Sequence, residues 1–302
     1  MLTVIIVLLA VGGLANAFVL LRGAVRQQAW PRREAVLLGA ITNFFDTLGI
    51  GSFAPTMAWF KFRRLVPDHL IPQTMIAGHV PASMVQALIF LALLGGQVDP
   101  VLLVGSIVAL AIGGLFGARL VYRARVWMVQ GTVGIALIMA ATFYSLSNLG
   151  LMPIGGTATS LPVGLTMLAI AASLVFGILL NFGVGNFAPT LALLSLMGLD
   201  PRYCFPIMAS SAGLGGVIVA TRHVQTAKID LRIALGIAIG GIPAVLIAAF
   251  WVKSMPIETL RWLVTLVVTY SAVVMLRSAV AGRGKPEPAD LVMAADAAQV
   301  GL

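Results

Sequence analysis

The sequence predicts an all-α polytopic membrane protein that contains two inverted structural repeats. Of its 302 residues, 60% are hydrophobic and only 10% are charged, whereas soluble domains average about 45–50% apolar and about 25% charged residues. The charged residues stand in short runs between apolar stretches of about 20 residues, the length of a transmembrane helix. This pattern excludes a soluble enzyme, a disordered protein and a nucleic-acid binder, although the net charge is +9.

The first predicted element is a transmembrane helix, which occupies residues 1–34 together with a cytoplasmic loop. Ala15, Asn16 and Ala17 resemble a signal-peptidase site. However, no Lys or Arg precedes the apolar run, so the positive region of a signal peptide is missing and we expect a retained helix. Because basic residues follow this helix, its N-terminus is expected outside the cell.

A motif that occurs twice identifies the repeats. Residues 49–56 read GIGSFAPT and residues 183–190 read GVGNFAPT, so six of the eight positions are identical at an offset of 134. An ungapped Phe-Ala-Pro-Thr match is more than apolar composition alone produces. We therefore expect the chain to contain a duplicated structural unit.

Each copy of the motif is predicted to interrupt a helix that enters the membrane and returns to the same side. Residues 35–60 form an apolar stretch that is broken at residues 49–51, and both flanks of this stretch are strongly basic. A full crossing would put one basic flank outside, whereas a re-entrant hairpin keeps both in the cytoplasm. Each arm is expected to have about 9–14 residues, or roughly 14–21 Å, which reaches the middle of the membrane.

This assignment divides the rest of the chain into two repeats and a tail. The predicted segments are repeat 1, residues 35–150, with the broken helix 35–60 and crossings at about 71–95, 99–119 and 127–147; repeat 2, residues 151–277, with the broken helix 161–198 and crossings at about 204–222, 231–252 and 257–276; and a cytoplasmic tail, residues 278–302. Because three crossings is an odd number, the second repeat is expected to be inverted relative to the first.

The positions of the basic residues support this topology. Segments predicted to be cytoplasmic contain 16 of the 19 Lys and Arg residues, as the positive-inside rule requires. These residues are Arg22, Arg26, Arg32, Arg33, Lys61, Arg63, Arg64, Arg119, Arg123, Arg125, Arg222, Lys228, Arg232, Arg277, Arg283 and Lys285. The remaining three are Arg202, Lys253 and Arg261. We therefore expect a multi-pass protein in a lipid bilayer with a cytoplasmic C-terminus.

The duplicated motif also carries a family resemblance. In both repeats it has the form G-x-G-x-x-x-P, at residues 49–55 and 183–189, and later in each repeat Asp99 or Asp230 precedes a glycine-containing helix. These features cover most of residues 36–276 and resemble the TauE/SafE family of membrane transporters, the sulfite exporter or TSUP group. The resemblance implies a secondary transporter in a bacterial inner membrane that exports small sulfur oxyanions, either sulfite or an organosulfonate such as sulfoacetate.

The residues at the two breaks indicate an anion site independently of the family resemblance. Inverted repeats with paired broken helices are typical of secondary transporters, whose substrate binds near the midplane where the breaks meet. Ser52 and Asn186 are suitable N-cap residues, and Pro55 and Pro189 suit the first turn of a helix. Each second arm would then present free N–H groups and a positive dipole end to an anion. The alternative is that the glycines only permit close helix packing.

Glycines and polar side chains around the breaks make up the candidate substrate site. Polar groups in hydrocarbon are costly unless they are paired or line a cavity, so this cluster indicates either a shared cavity or hydrogen bonds between helices. The candidate substrate-binding residues are Asn43, Thr47, Gly49, Gly51, Ser52, Thr56, Asn181, Gly183, Gly185, Asn186 and Thr190.

Asp46 and His79 are the candidates for proton coupling. Asp46 lies well inside an apolar stretch, and Leu180 occupies the matching position of repeat 2. An intramembrane carboxyl group indicates a functional position by default, and a group that exchanges a proton would couple protons to anion movement. The alternatives are that Asp46 is a structural partner of a donor such as His79, and that His79 is a hydrogen-bonded packing residue.

Enzymatic functions are not expected. The G-x-G-x-x-A sequence at residues 49–54 lies in an apolar helix without the strands of a dinucleotide-binding fold, and the three histidines lack metal-ligand spacing. The single Cys204 provides neither a disulfide nor a Cys-based metal site. We therefore expect no metal, no cofactor and no nucleic-acid partner, only a small anionic substrate. A carrier and a passive small-anion channel both fit the sequence, and the oligomeric state stays open.

Overall fold

The chain folds into α-helices throughout the part that the computed structural model describes, which is residues 2–67, 70–120, 125–151, 156–180, 182, 184–225 and 229–284. The helices are α1 (Leu2–Arg26), α2 (Arg33–Thr47), α3 (Phe53–Arg63), α4 (Ile71–Leu94), α5 (Pro100–Leu120), α6 (Val126–Asn148), α7 (Val163–Leu180), α8 (Phe187–Leu196), α9 (Pro201–Gln225), α10 (Leu231–Ser254) and α11 (Ile257–Gly282). A single 3-10 turn, Gly95–Gln97, follows α4.

Seven of these helices are long and apolar enough to cross a membrane, namely α1, α4, α5, α6, α7, α10 and α11. The prediction of an all-α polytopic membrane protein is therefore confirmed. The predicted crossing at 204–222 lies within α9, but the side chains of α9 are described only as far as Val217, and this helix is not among the seven. The predicted tail, residues 278–302, lies mostly outside the described residues, although α11 continues to Gly282.

Helices α2 and α3 form the predicted hairpin of repeat 1. The guanidinium Nε of Arg63, at the end of α3, lies 2.9 Å from the carboxylate Oε1 of Glu34 in the first turn of α2. The indole Nε1 of Trp59 donates to the same carboxylate oxygen at 3.1 Å. The hydrogen bond from Arg63 lowers the pKa of Glu34 below its usual value. These contacts show that the chain returns to the level at which it entered, as the two basic flanks predict.

Helices α7 and α8 form the matching hairpin of repeat 2. Ala158, before α7, donates its N–H to the carbonyl of Gly198 at 3.0 Å and accepts the N–H of Asp200 at 2.9 Å. The segments before α7 and after α8 are thus joined. The first arm, α7, has 18 residues and an uninterrupted apolar sequence up to Leu180. In the hairpin of repeat 1, α2 has 15 residues and α3 has 11, close to the arms of about 9–14 residues expected there.

Equivalent helices of the two repeats pack side by side in opposite directions. Val80 of α4 lies beside Gly216 of α9, and Met84 lies beside Gly213, so residue numbers rise along one helix while they fall along the other. Helices α6 and α11 are antiparallel in the same way. The repeats are therefore inverted relative to each other, as predicted.

The first arm of each hairpin is locked against the opposite repeat. α2 packs most extensively on α10, and α7 packs on α5, which are exchanged pairs under the same internal symmetry. A Cβ atom at Gly240 would lie 1.9 Å from the carbonyl oxygen of Val36, and one at Gly113 would lie 2.0 Å from that of Leu174. The backbones therefore approach so closely that only glycine fits at these two positions.

Candidate functional site

The two breaks in the hairpins meet at the centre of the molecule and separate two cavities. Gly51 and Phe53 of repeat 1 and Gly185 and Phe187 of repeat 2 line both cavities. The larger cavity, with the open space at its mouth, has a volume of about 770 Å³ and lies among α4, α5 and α9. The smaller one, counted in the same way, has about 400 Å³ and reaches α6 and α11. The breaks therefore form a partition whose two sides both face empty space.

The break in hairpin 1 has a backbone that glycine makes possible. Gly49 has a φ of +98° and Gly51 a φ of +86°, a region that side chains with a Cβ rarely adopt. The chain thus leaves α2, turns sharply and starts α3 at Phe53. At Gly51 a Cβ atom would meet no atom within 4 Å, so this residue borders open space. The expected departure from helical geometry is confirmed here.

Asp46, near the end of α2, lies beside the start of α3. Its carboxylate Oδ1 accepts the N–H of Ser52 at 2.6 Å, and Asp46 lines the larger cavity while being 3% exposed. The next two N–H groups, of Phe53 and Ala54, lie in the first turn of α3 and have no backbone acceptor among the described residues. Pro55 has no N–H. Phe53 lines both cavities and Ala54 lines the smaller one, so the start of α3 places these donors at the partition, and the Asp46 carboxylate binds the N–H just before them.

The break in hairpin 2 has the same layout without the carboxylate. Asn186 precedes α8, and the N–H groups of Phe187 and Ala188 lie in its first turn without a described backbone acceptor. Leu180 lines the larger cavity at the position that corresponds to Asp46. Gly185 does not adopt a positive φ, but a Cβ atom there would meet nothing within 4 Å. Two further predicted site residues, Asn181 and Gly183, lie outside the described residues.

The predicted N-cap residues precede the two helices as expected, but the prediction that their side chains cap these helices is wrong. Ser52 and Asn186 are the residues that precede α3 and α8, but neither side chain makes a capping hydrogen bond. Both residues have a helical backbone, with φ, ψ of −87°, −24° and −78°, −16°, rather than the extended backbone of a typical N-cap. The amide of Asn186 instead donates to the carbonyl of Met208 at 3.4 Å. Neither side chain therefore caps the first-turn N–H groups of its helix.

His79, on α4, is hydrogen-bonded to residues of α2 and α3 and not to Asp46. Its Nδ1 lies 3.0 Å from Asn43 Oδ1 on α2, and its Nε2 lies 3.0 Å from the hydroxyl of Thr56 on α3. Asn43 donates its own amide to the carbonyl of Gly39 at 2.8 Å, which leaves Oδ1 as an acceptor. The geometry fits a neutral imidazole that donates from Nδ1 and accepts at Nε2. The suggested pairing of Asp46 with His79 is wrong, although both line the larger cavity.

The remaining predicted residues lie behind the cavity wall. Thr47 is buried and donates to the carbonyl of Asn43 in its own helix at 2.8 Å. Thr190 is buried in the first turn of α8, and Gly49 contacts Leu191. None of these three lines either cavity. Polarity near a break therefore did not by itself indicate contact with the central space.

Two residues of the central partition were missed, Phe53 and Phe187. Both rings line both cavities, and the Phe53 ring stacks on His79 with centroids 5.9 Å apart. The signal was present, because this Phe is identical in the two copies of the motif. It was overlooked because an aromatic residue in an apolar chain resembles ordinary core.

The chain was compared with protein families, curated proteins and solved structures. None of the three comparisons finds a match. Among the described residues, no group of three or more His, Cys, Asp or Glu lies together in a way that would hold a metal ion.

Proposed function

We propose that the protein is a secondary transporter that exports small sulfur oxyanions, sulfite or an organosulfonate such as sulfoacetate, across a bacterial inner membrane. The single observation that carries the proposal is the meeting of two helix breaks whose second arms both begin at the larger central cavity. Paired broken helices of inverted repeats hold the substrate in secondary transporters. The choice of sulfur oxyanions follows the resemblance of the duplicated motif to the TauE/SafE family.

The chemistry of the cavity favours an anion. The N-terminal ends of α3 and α8 each provide the positive end of a helix dipole and two N–H groups without a backbone acceptor among the described residues, one of them, of Phe53 or Phe187, in a residue that lines this cavity. The described lining contains no Lys or Arg, so an anion would bind by backbone donors and would not be held too tightly for release. Pyramidal or tetrahedral oxygens suit two sets of donors that face each other from opposite repeats.

Asp46 gives the proposal a route to proton coupling. While ionised, its carboxylate is a tethered anion beside the donors that the substrate needs, and it repels a second negative charge. Protonation of Asp46 removes this repulsion, so an anion and a proton would occupy the cavity together. His79 is the other titratable group that faces this cavity, and both of its ring nitrogens are already hydrogen-bonded. Asp46 is therefore the proton carrier in this proposal, and His79 is a positioning residue.

The packing of the second arms supports alternating access. α8 packs against α6, α7, α9 and α11, whereas the main neighbours of α3 are α2 and α4. Eight of the ten residues of α8 are buried, but only two of the eleven residues of α3. We infer that the side of α3 is the open side in this state, and that α3 moves against the fixed first arm α2.

The function is tested by anion flux in proteoliposomes. We expect saturable counterflow of sulfite or sulfoacetate that a pH gradient accelerates when net transport is measured. Linear, unsaturated flux would establish a passive anion channel instead of a carrier. No flux for sulfite and a panel of sulfonates would refute the assigned substrate class.

Orientation is tested separately by cysteine labelling. In a Cys204→Ala background, Trp30→Cys and Arg64→Cys flank hairpin 1. We expect a membrane-impermeant thiol reagent to modify both cysteines from the cytoplasmic side. Modification of both cysteines from the outer side would mean that the protein is inserted in the orientation opposite to the proposed one.

A further inference from the structure

The smaller cavity has walls of a different chemistry from those of the larger one. The residues of α6 and α11 that line it are Leu137, Tyr270, Ser271, Val274 and Met275. Its described lining contains no Asp, Glu, Lys, Arg or His, whereas the larger cavity is lined by Asp46 and His79. The side of the smaller cavity that α6 and α11 form is therefore mainly apolar.

The starts of α3 and α8 also border the smaller cavity. Four first-turn residues whose N–H groups have no backbone acceptor in the described part of the chain line it, namely Phe53, Ala54, Phe187 and Ala188. The larger cavity is lined by the two phenylalanines but by neither alanine. The positive ends of two helix dipoles thus border the smaller cavity and favour an anion at this wall.

A buried hydroxyl group of α11 adds a donor without a partner. Ser271 is 9% exposed and lines the smaller cavity. Thr265 and Thr269 of the same helix donate to the backbone carbonyl four residues earlier, at 3.2 and 2.7 Å. The Ser271 hydroxyl has no such acceptor among the described residues. Because buried polar groups are nearly always hydrogen-bonded, this hydroxyl calls for a ligand or for water inside the cavity.

Tyr270 shows that the smaller cavity borders the lipid-facing surface. This residue lines the cavity and is nevertheless 41% exposed. Leu266 and Val273, about one turn to either side of it, are also exposed. Since α11 is long and apolar enough to cross a membrane, these exposed residues near its middle contact lipid chains. The apolar end of the cavity therefore lies at membrane depth, away from bulk water.

We propose that the smaller cavity binds the uncharged aliphatic chain of an alkanesulfonate, whose sulfonate group lies at the partition between the two breaks. The sulfonate accepts hydrogen bonds from the N–H groups at the helix starts and from the Ser271 hydroxyl, and the chain contacts Leu137, Val274 and Met275. A second charge, such as the carboxylate of sulfoacetate, would lose its water there without a basic partner in the described lining. This inference rests on the proposed transport of sulfur oxyanions and names the preferred member of that class.

The first test varies the chain of the competitor. Counterflow of sulfite in proteoliposomes is measured with methanesulfonate, ethanesulfonate, butanesulfonate and sulfoacetate as inhibitors. We expect the inhibition constant of the alkanesulfonates to fall about three- to fourfold for each added CH₂ group that is buried. Sulfoacetate should inhibit more weakly than ethanesulfonate, which has the same number of carbon atoms. Equal inhibition constants across the alkanesulfonates would overturn the proposal.

The second test compares two neighbouring valines of α11. Val274 lines the smaller cavity, whereas Val273 is 38% exposed and does not line it. We expect Val274→Phe to remove the dependence on chain length, because the ring occupies the space of the chain. Val273→Phe should retain this dependence, since its ring extends into lipid. The same dependence in both variants would overturn the proposal.

The third test does not depend on transport or on the phenylalanine variants. In a Cys204→Ala background, Val274→Cys and Val273→Cys are treated with the membrane-permeant reagent N-ethylmaleimide. We expect saturating butanesulfonate to slow the modification of Val274→Cys by about tenfold or more, and methanesulfonate at the same concentration to protect much less. Val273→Cys should react at the same rate with and without either sulfonate. Absence of protection at Val274→Cys would overturn the proposal.

The three tests separate this proposal from the transport function. If the wild-type protein transports no anion but butanesulfonate protects Val274→Cys, the transport function fails and the binding site stands. If the wild-type protein transports sulfite but chain length has no effect and protection is absent, the function stands and the proposal for the smaller cavity fails.

Discussion

The two hairpins share one motif but differ in what surrounds it. Hairpin 1 has a carboxylate, an amide and an imidazole partner at Asp46, Asn43 and His79. Hairpin 2 has Leu180, Gly177 and Gly213 at the matching positions. Only two of the eleven residues in the second arm of hairpin 1 are buried, whereas eight of the ten in that of hairpin 2 are buried.

This difference shows that the two repeats contribute different side chains to the surroundings of the breaks. The shared features are the two breaks and the first-turn N–H groups that have no backbone acceptor among the described residues, and both breaks line the two cavities. The features that differ determine how each second arm is held. Hydrogen bonds through His79 hold α3 to α4 and α2, whereas apolar packing holds α8. A few hydrogen bonds can exchange partners more readily than a packed apolar surface can separate.

The largest effect is expected from filling the space between the hairpins. Gly185 borders both cavities, and its backbone accepts a residue with a Cβ. We expect Gly185→Val to reduce counterflow by about a hundredfold or more, because the valine side chain occupies the position of the anion. The measurement is counterflow in proteoliposomes. Gly164→Val is a matched control, since a Cβ atom there also meets nothing within 4 Å. Wild-type flux in Gly185→Val would show that the anion does not pass between the breaks.

The next effect concerns the carboxylate that hairpin 2 lacks. Asn imitates protonated Asp, so Asp46→Asn should abolish the acceleration by a pH gradient while counterflow persists. The initial rate of net flux, with and without the gradient, measures this effect. Leu180→Asn alters the matching position and should leave the acceleration unchanged. Full acceleration in Asp46→Asn would assign proton coupling to another group.

A smaller effect on stability separates the matching threonines. Thr56→Val leaves Nε2 of His79 buried without a partner, which should lower the free energy of unfolding by about 1–3 kcal/mol. Thr190→Val should cost less, because no hydrogen bond of the Thr190 side chain connects it to another helix among the described residues. Thermal unfolding in detergent compares the two variants. An equal loss in both would mean that His79 does not hold hairpin 1.

The smallest effect is expected at the base of hairpin 1. Arg63 lowers the pKa of Glu34, so the ion pair stabilises the fold above the unfolded pKa of Glu34, and this stabilisation is lost as pH falls through the lowered value. Because the pair is exposed, Glu34→Gln should change stability by less than about 1 kcal/mol near neutral pH. The difference from wild type should shrink further in high salt. Unfolding at low and high salt measures this difference, and a large loss would assign the pair a structural role.

The hairpins were predictable because charge and apolar length act locally. Basic residues on both sides of residues 35–60 require a return to the same side, whatever the neighbouring helices do. The inversion follows from counting crossings. By contrast, the partner of Asp46 depends on the turn between α2 and α3. The contacts of the polar side chains near a break could not be predicted, because they depend on how the helices pack.

The sequence by itself determined the membrane class, the duplicated motif and both breaks. These follow from composition, the spacing of charged residues and the repeat of one motif, which need no knowledge of distant contacts. Only the tertiary structure decided that Phe53 and Phe187 divide two cavities, that Asp46 binds the Ser52 N–H, and that His79 connects three helices. The physical reason is that such contacts join residues far apart in the chain, where the direction of a side chain depends on how the helices pack.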